Sequence, residues 1–265
     1  MTFGFIGTGN MGGALAVAAA KTGTELLLNN RTPAKAEALA RQLGCKTATA
    51  REIAAGCDYI MLGVKPQMMG DLLSDLAPTL AQRTSPFTLV SMAAGLKMET
   101  IQKMAGGGYP VIRIMPNTPV AVGSGVILYD ATENVSEGVL GDFCAAMEQA
   151  GFLDRLPEGL MDAGSAVSGC GPAFVSMFIE ALADGGVSCG LPRQKALRYA
   201  AYTLEGTARL LLETGKHPGQ LKDEVCSPGG STIEGVKVLE QEGLRPATMD
   251  AVAAAFRRNG QLGKV

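Results

Sequence analysis

Two stretches of this chain carry residue types at spacings that can do chemistry. The first is Gly7-Thr8-Gly9-Asn10-Met11-Gly12, set between the apolar run Thr2 to Ile6 and a helical run from Gly13 to Lys21. This is G-x-G-x-x-G in the strand–turn–helix setting that it needs to cradle a dinucleotide. The first glycine makes the tight turn, the second lets the pyrophosphate approach the backbone, and the third lets helix and strand pack closely. The second stretch is Asp223 to Ile233, centred on Ser227-Pro228-Gly229-Gly230-Ser231-Thr232. Pro228 and the two glycines end one helical pattern, and a new one opens at Thr232. A fresh helix N-terminus offers unpaired N–H groups and the positive end of a dipole, which suits a small carboxylate. Ser227, Gly229, Gly230, Ser231 and Thr232 are therefore the candidate substrate-binding residues, and the Thr232 hydroxyl can donate or accept a proton. A glycine turn with an ordinary helix cap is the plainer alternative for such a string.

The end of the second strand speaks to which dinucleotide is bound. Enzymes that use NAD carry Asp or Glu there to hold the ribose 2′-hydroxyl. Here the strand runs Glu25 to Asn30 and leaves as Asn30-Arg31-Thr32. A carboxylate would repel a 2′-phosphate, whereas Arg31 can bind one and Asn30 and Thr32 can add hydrogen bonds. The expectation is NADPH, with NADH as a lesser substitute. A solvated loop arginine is the competing reading. The strand Asp58 to Val64 ends in Lys65-Pro66-Gln67, at the edge where loops of a parallel sheet line the ligand crevice. Lys65 faces the cofactor there or is a plain surface lysine; spacing leaves both open. The strand Thr88 to Gly95 has a small-residue exit through Ala93. Asn117, in the rigid turn Pro116-Asn117-Thr118-Pro119, either shapes a nicotinamide pocket or serves the turn alone. The candidate cofactor residues are thus Gly7, Gly9, Asn10, Met11, Gly12, Asn30, Arg31, Thr32, Val64, Lys65, Pro66, Ala93 and Asn117.

The elements that position these residues fall into two halves. Strand and helix signals alternate through strands near Val111 to Met115, Gly125 to Tyr129 and Gly151 to Leu156, with a helix over 136–149, which predicts a doubly wound α/β sheet. From Gly159 the strand signals stop. Helical patterns follow over Leu160 to Val187 (interrupted near Ser168 to Pro172), Pro192 to Glu213, Gln220 to Cys226, Thr232 to Glu242 and Pro246 to Asn259. The expected domains are a Rossmann-like unit over 1–159 and an all-α unit over 160–265. The apolar excess of the helices leaves faces to cover, so a homo-oligomer is expected.

Composition excludes several classes. With 265 residues and a formal charge of -2, the chain lacks the basic face of a nucleic-acid binder. Six cysteines without a C-x-x-C pair, and a single His, make a zinc site unexpected. The start of the chain reads as a strand rather than a leader, and no membrane span is expected, which predicts a cytoplasmic protein.

A ketone reductase wants a positioned Lys, His or Tyr. The segment Gly169 to Phe178, where β-hydroxyacid dehydrogenases of similar plan carry a lysine, has none, and the lone His217 reads as a surface residue. Imine reduction tolerates this, because an imine nitrogen can arrive protonated or take its proton through a hydroxyl or water. The protein then needs mainly to hold the C=N carbon near the nicotinamide.

At these residues the chain resembles the pyrroline-5-carboxylate reductases. The resemblance spans essentially the whole chain. It rests on the Gly7–Gly12 turn, Asn30-Arg31-Thr32, Val64-Lys65-Pro66-Gln67, Arg113-Ile114-Met115-Pro116-Asn117-Thr118-Pro119, Gly169-Cys170-Gly171-Pro172-Ala173 and Ser227-Pro228-Gly229-Gly230-Ser231-Thr232, the last two being the most specific. It implies reduction of L-1-pyrroline-5-carboxylate to L-proline with NADPH or NADH, the final step of proline biosynthesis. It also implies an N-terminal Rossmann domain, a C-terminal dimerisation domain, and homodimers that assemble into homodecamers, with substrate lying between two subunits. By the same resemblance the substrate carboxylate sits on the N–H groups of Ser231 and Thr232, and the Thr232 hydroxyl is the catalytic proton donor. Cys170 and Phe174 depart from the Ser and Tyr that family members often carry. A reductase of another imine and a non-catalytic NADP-binding regulator are the two rival readings.

Overall fold

Alternation along the central strands sets up a sheet buried on both faces. The computed structural model describes residues 1–262. Strand β1 (Thr2–Ile6) is followed by α1 (Asn10–Lys21), β2 (Glu25–Asn29), α2 (Pro33–Leu43), the two-residue β3 (Lys46–Thr47), α3 (Ala50–Gly56) and β4 (Tyr59–Leu62). Next come α4 (Met69–Ala81), β5 (Thr88–Ser91), α5 (Met98–Ala105), β6 (Val111–Pro116), β7 (Gly125–Ala131), α6 (Glu137–Met147), β8 (Gly151–Arg155) and α7 (Met161–Ser168). The strands form one sheet in the order β3-β2-β1-β4-β5-β6-β7-β8. All pairs are parallel except β6 with β7. The first six strands thus follow the doubly wound dinucleotide-binding order.

Each strand sends alternate residues to opposite layers. In β4, Tyr59 and Met61 join Phe3, Phe5 and Leu28 under α1, α2 and α6, while Ile60 and Leu62 face α3, α4 and α5. Tyr59 stacks on Phe3 at 4.3 Å between ring centres, and its hydroxyl donates to the Val139 carbonyl at 2.7 Å. Helix α3 starts on a capping box in which Thr49 and Glu52 satisfy each other's backbone N–H.

Helices α4 and α5 were not anticipated from the sequence. Helix α4 follows Lys65-Pro66 and carries Pro78 inside it, both helix-breaking signals. It forms because Met69, Leu73, Leu76 and Leu80 bury one full stripe. The break expected near Ser168 to Pro172 separates α7 from α8 (Gly171–Ser188), which is followed by α9 (Arg193–Thr214), α10 (Pro218–Glu224), α11 (Ser231–Gln241) and α12 (Leu244–Leu262).

The chain divides into two compact units. One comprises Met1–Cys170 together with α12 from Ala255 onward, and the other Gly171–Ala254. The helical unit has a small core of its own, Ala183, Ala196 and Ala200. It leaves large apolar side chains in the open, among them Met177 (70%), Leu212 (83%) and Met249 (71%). Helices α8 and α9 are therefore incompletely covered within one chain.

Candidate active site

The glycine turn between β1 and α1 is built by close backbone approach. Gly7 sits at φ 104°, a left-handed conformation that a side chain would strain. A Cβ on Gly12 would lie 2.1 Å from the Gly7 carbonyl oxygen, and one on Gly63 would lie 2.4 Å from the same atom. Gly9 differs: a Cβ there would meet nothing within 4 Å. Gly7, Gly12 and Gly63 thus let the chain close on itself, while Gly9 keeps space open beside the turn. Gly9 is also the N-cap of α1 and brings no side-chain acceptor, and the first turn of the helix holds no acid. The N–H groups of Asn10, Met11 and Gly12 have no intrahelical acceptor. The open space and free donors fit a pyrophosphate.

The β2 exit is tied to this turn. Asn30 accepts the Thr8 N–H at 3.3 Å and donates to the Thr32 carbonyl at 3.1 Å, so its amide holds two loops in register. Thr32 caps α2 without using its hydroxyl, and Pro33 follows at the first helical position. Arg31 is exposed, and among the described residues its one side-chain hydrogen bond goes to Met68 Sδ at 3.9 Å. A cleft of about 690 Å³ gathers Gly7, Gly9, Asn30, Arg31, Thr32, Val64 and Lys65. Lys35, on the first turn of α2, lines it too, as do Asp71 and Asp75. Asp75 is engaged by Arg51, so the three cations Arg31, Lys35 and Lys65 outnumber the one remaining carboxylate, Asp71. Sequence reasoning passed over Lys35 and Gly63. The signals were a lysine one helical turn past Arg31 and a glycine directly before Val64.

The remaining cofactor candidates stand outside this cleft. Pro66 opens a 3₁₀ turn after Lys65. Ala93 is buried at the β5 exit. Asn117 is buried, donating to the Ser168 carbonyl at 2.9 Å and accepting the Val126 N–H at 2.8 Å. Its amide is fixed by these bonds, so what it offers a ligand is shape.

In the helical unit, Ser227 to Gly230 form a β-turn. Its Gly230 N–H donates to the Ser227 carbonyl at 3.0 Å, with Pro228 second and Gly229 third at φ 66°. A Cβ on Gly230 would lie 2.4 Å from Ser227 Oγ and 3.2 Å from the Ser227 carbonyl oxygen, so a side chain here would make the Ser227 hydroxyl rotate away. Helix α11 then starts at Ser231, one residue earlier than the sequence pattern suggests, with Gly230 as an N-cap that offers no side-chain acceptor. The N–H groups of Ser231 and Thr232 have no intrahelical acceptor, and both side chains are exposed. His217 is not part of this turn: it caps α10, its Nδ1 accepting the Gly219 N–H at 3.1 Å. Among the described residues, no group of three or more His, Cys, Asp or Glu is placed to hold a metal.

A doubly wound sheet with a glycine-rich first turn, cations at the β2 exit and a helical C-terminal unit defines a nicotinamide-dinucleotide-dependent oxidoreductase. Comparison with known proteins narrows the class. Residues 2–95 match the family model "NADP oxidoreductase coenzyme F420-dependent", and residues 158–262 match "Pyrroline-5-carboxylate reductase dimerisation". The chain is 45% identical over 217 residues to the pyrroline-5-carboxylate reductase of Synechocystis, covering 81% of this chain and 78% of that protein. It is 37% identical to the Escherichia coli enzyme, covering 98% of both. The crystal structure of Plasmodium falciparum pyrroline carboxylate reductase with NADP bound superposes with a TM-score of 0.86 at 31% identity, over 99% of this chain and 98% of that one. The chain belongs to the pyrroline-5-carboxylate reductase family.

Proposed function

We propose that this protein reduces L-1-pyrroline-5-carboxylate to L-proline at the expense of NADPH, closing proline biosynthesis. The observation that carries the reading is the capless start of α11: a glycine turn that leaves two helix N–H groups and two hydroxyls unengaged is suited to a small carboxylate. The carboxylate is held by the N–H groups of Ser231 and Thr232, with Ser227, Gly229 and Gly230 shaping the turn. Thr232 Oγ1 delivers or relays a proton to the ring nitrogen as the C=N bond becomes CH–NH. When bound, NADPH supplies the hydride. The free N–H groups of Asn10, Met11 and Gly12 would hold its pyrophosphate, and Arg31, Thr32 and Lys35 its 2′-phosphate. Val64, Lys65 and Pro66 would border the ribose, with Ala93 and Asn117 toward the nicotinamide. No basic side chain is needed for the chemistry, in keeping with a helical unit whose only His caps a helix.

The uncovered apolar surface of α8 and α9 supports pairing with a second copy, and a homodecamer of five dimers is the assembly we assign. Within the stretch Glu158–Ser188 an 18-residue window has the mean hydropathy (1.5) of a membrane span, with 11% of that window buried. The break between α7 and α8 interrupts it, and we assign its apolar face to the dimer in a cytoplasmic enzyme.

The test is oxidation of NADPH with L-1-pyrroline-5-carboxylate, run beside NADH and beside a six-membered cyclic imino acid. Rapid oxidation with the five-membered ring and proline as product is expected. NADPH binding without turnover would overturn the reading in favour of another imine or a regulator.

A further inference from the structure

Among the described residues, Arg113 is the charged side chain buried within the sheet, 2% exposed in mid-β6. A buried guanidinium is costly unless it is paired. Its terminal nitrogens approach Glu158 Oε1 at 3.3 Å and Asp162 Oδ1 at 3.5 Å. The cofactor reading gives this cluster no role. Its placement does. Arg113 lies opposite Ser91, the last residue of β5, and opposite Asp130 of β7. It therefore stands at the level where β5 leaves the sheet through Met92 to Lys97.

Glu158 joins that exit loop to the cluster. Its Oε1 accepts the Met98 N–H at 2.7 Å across 60 residues of sequence. Met98 opens α5, and Lys97, the N-cap, gives no side-chain bond, so Glu158 is the acceptor that caps this helix from a distance. The Glu158 N–H donates to Asp130 Oδ2 at 2.7 Å, which fixes its backbone. At the other end of the loop, Ser91 Oγ accepts the Ala93 N–H at 3.4 Å. The loop is thus held at both ends, and one end depends on Glu158.

In a doubly wound sheet the dinucleotide straddles the switch point. The half built on β1 and β2 takes the adenosine, and the half built from β4 onward takes the nicotinamide mononucleotide. We propose that Glu158 is a positioning residue for the nicotinamide half. By capping α5 and neutralising Arg113 together, it sets the shape of the β5–α5 loop that carries Ala93. This rests on the NADP reading above.

The experiment measures binding of NADPH and of adenosine 2′,5′-bisphosphate, which lacks the nicotinamide half, to wild type, Glu158→Ala and Glu158→Gln. Glu158→Ala is expected to weaken NADPH about tenfold, the loss of a hydrogen bond to a charged acceptor, and to leave the bisphosphate within about twofold. Glu158→Gln keeps an oxygen for the Met98 N–H and is expected to recover part of the loss. Hydrogen exchange at the Met98 amide should quicken in Glu158→Ala. Unchanged NADPH affinity in the folded variants, or an equal loss for both ligands, overturns the proposal. If Glu158→Ala does not fold, Glu158→Gln decides on the same split. A wild-type protein that binds neither ligand would remove the NADP reading itself, an outcome distinct from failure of the Glu158 assignment.

Discussion

The carbonyl oxygen of Gly7 occupies the place that a side chain on residue 12 would need, 2.1 Å from the position of its Cβ. Gly9, three residues before Gly12, faces open space. Two glycines of one motif thus have different jobs, and they should fail differently. Gly12→Ala must push helix α1 off β1 and is expected to cost about 1–3 kcal/mol of stability, the usual penalty for overpacking. Gly9→Ala should fold with an unchanged melting temperature and lose NADPH affinity by roughly tenfold or more, because the methyl group fills the space left for the pyrophosphate. Thermal melts and NADPH titration of the two variants check this. Equal loss of stability in both would show that Gly9 is structural as well.

Arg31 precedes and Lys35 follows Thr32, the N-cap of α2 whose hydroxyl makes no capping bond, in a cleft whose β2 exit has Asn30 where a carboxylate would serve NAD. Arg31→Ala should raise the Michaelis constant for NADPH about tenfold or more and that for NADH little, since only the former carries the 2′-phosphate. Lys35→Ala should do the same more weakly, as a point charge lacks a guanidinium's two-pronged bond. The discrimination should shrink as salt is raised, because both side chains are exposed. An equal effect on the two cofactors would mean that neither residue reads the phosphate.

Burial pushes the Cys57 thiol from its ordinary 9.0 up to about 11. The folded state therefore favours the neutral thiol. Its contribution to stability is fully present below pH 9 and is lost as pH rises toward 11, where the unfolded chain ionises first. Tyr59 adds to the same trend at higher pH, its phenol being raised chiefly by burial. Urea unfolding from pH 8 to 11 should show falling stability in the wild type. The fall should be shallower in Cys57→Ala, by an amount on the order of 2 kcal/mol across the window. Parallel curves would show that Cys57 does not govern the alkaline limb.

What could be read from the sequence follows physical range. The β1–turn–α1 motif is local: strand, glycines and helix are contiguous, so Gly7, Gly9 and Gly12 announced themselves. The turn at Ser227 to Thr232 was legible for the same reason. Helix α4 was not, because Pro66 and Pro78 speak against a helix and only its buried leucine stripe overrides them. Nor was the Arg113–Glu158–Met98 link, whose members are far apart in sequence and meet only once the sheet has formed. Asn117 shows the same limit in reverse. Its turn chemistry was visible, but its bonds to Ser168 and Val126 belong to the folded chain.

Thr232 tests the mechanism most directly. Its N–H and Ser231's are backbone donors, so a side-chain change should leave the carboxylate cradle standing. Its hydroxyl lies one position inside α11, is exposed, and is the group we assign to the proton. Thr232→Ala should therefore lower turnover by about 10²-fold, the lower end of what a positioned proton donor contributes, with NADPH affinity unchanged. Thr232→Ser restores a hydroxyl and should recover most of that loss. The deficit in Thr232→Ala should also ease as pH falls, since a substrate imine that arrives protonated needs no donor. Steady-state kinetics across pH with the three proteins measure all of this. Full turnover in Thr232→Ala at neutral pH would move the proton to water and leave the α11 N-terminus a binding device alone.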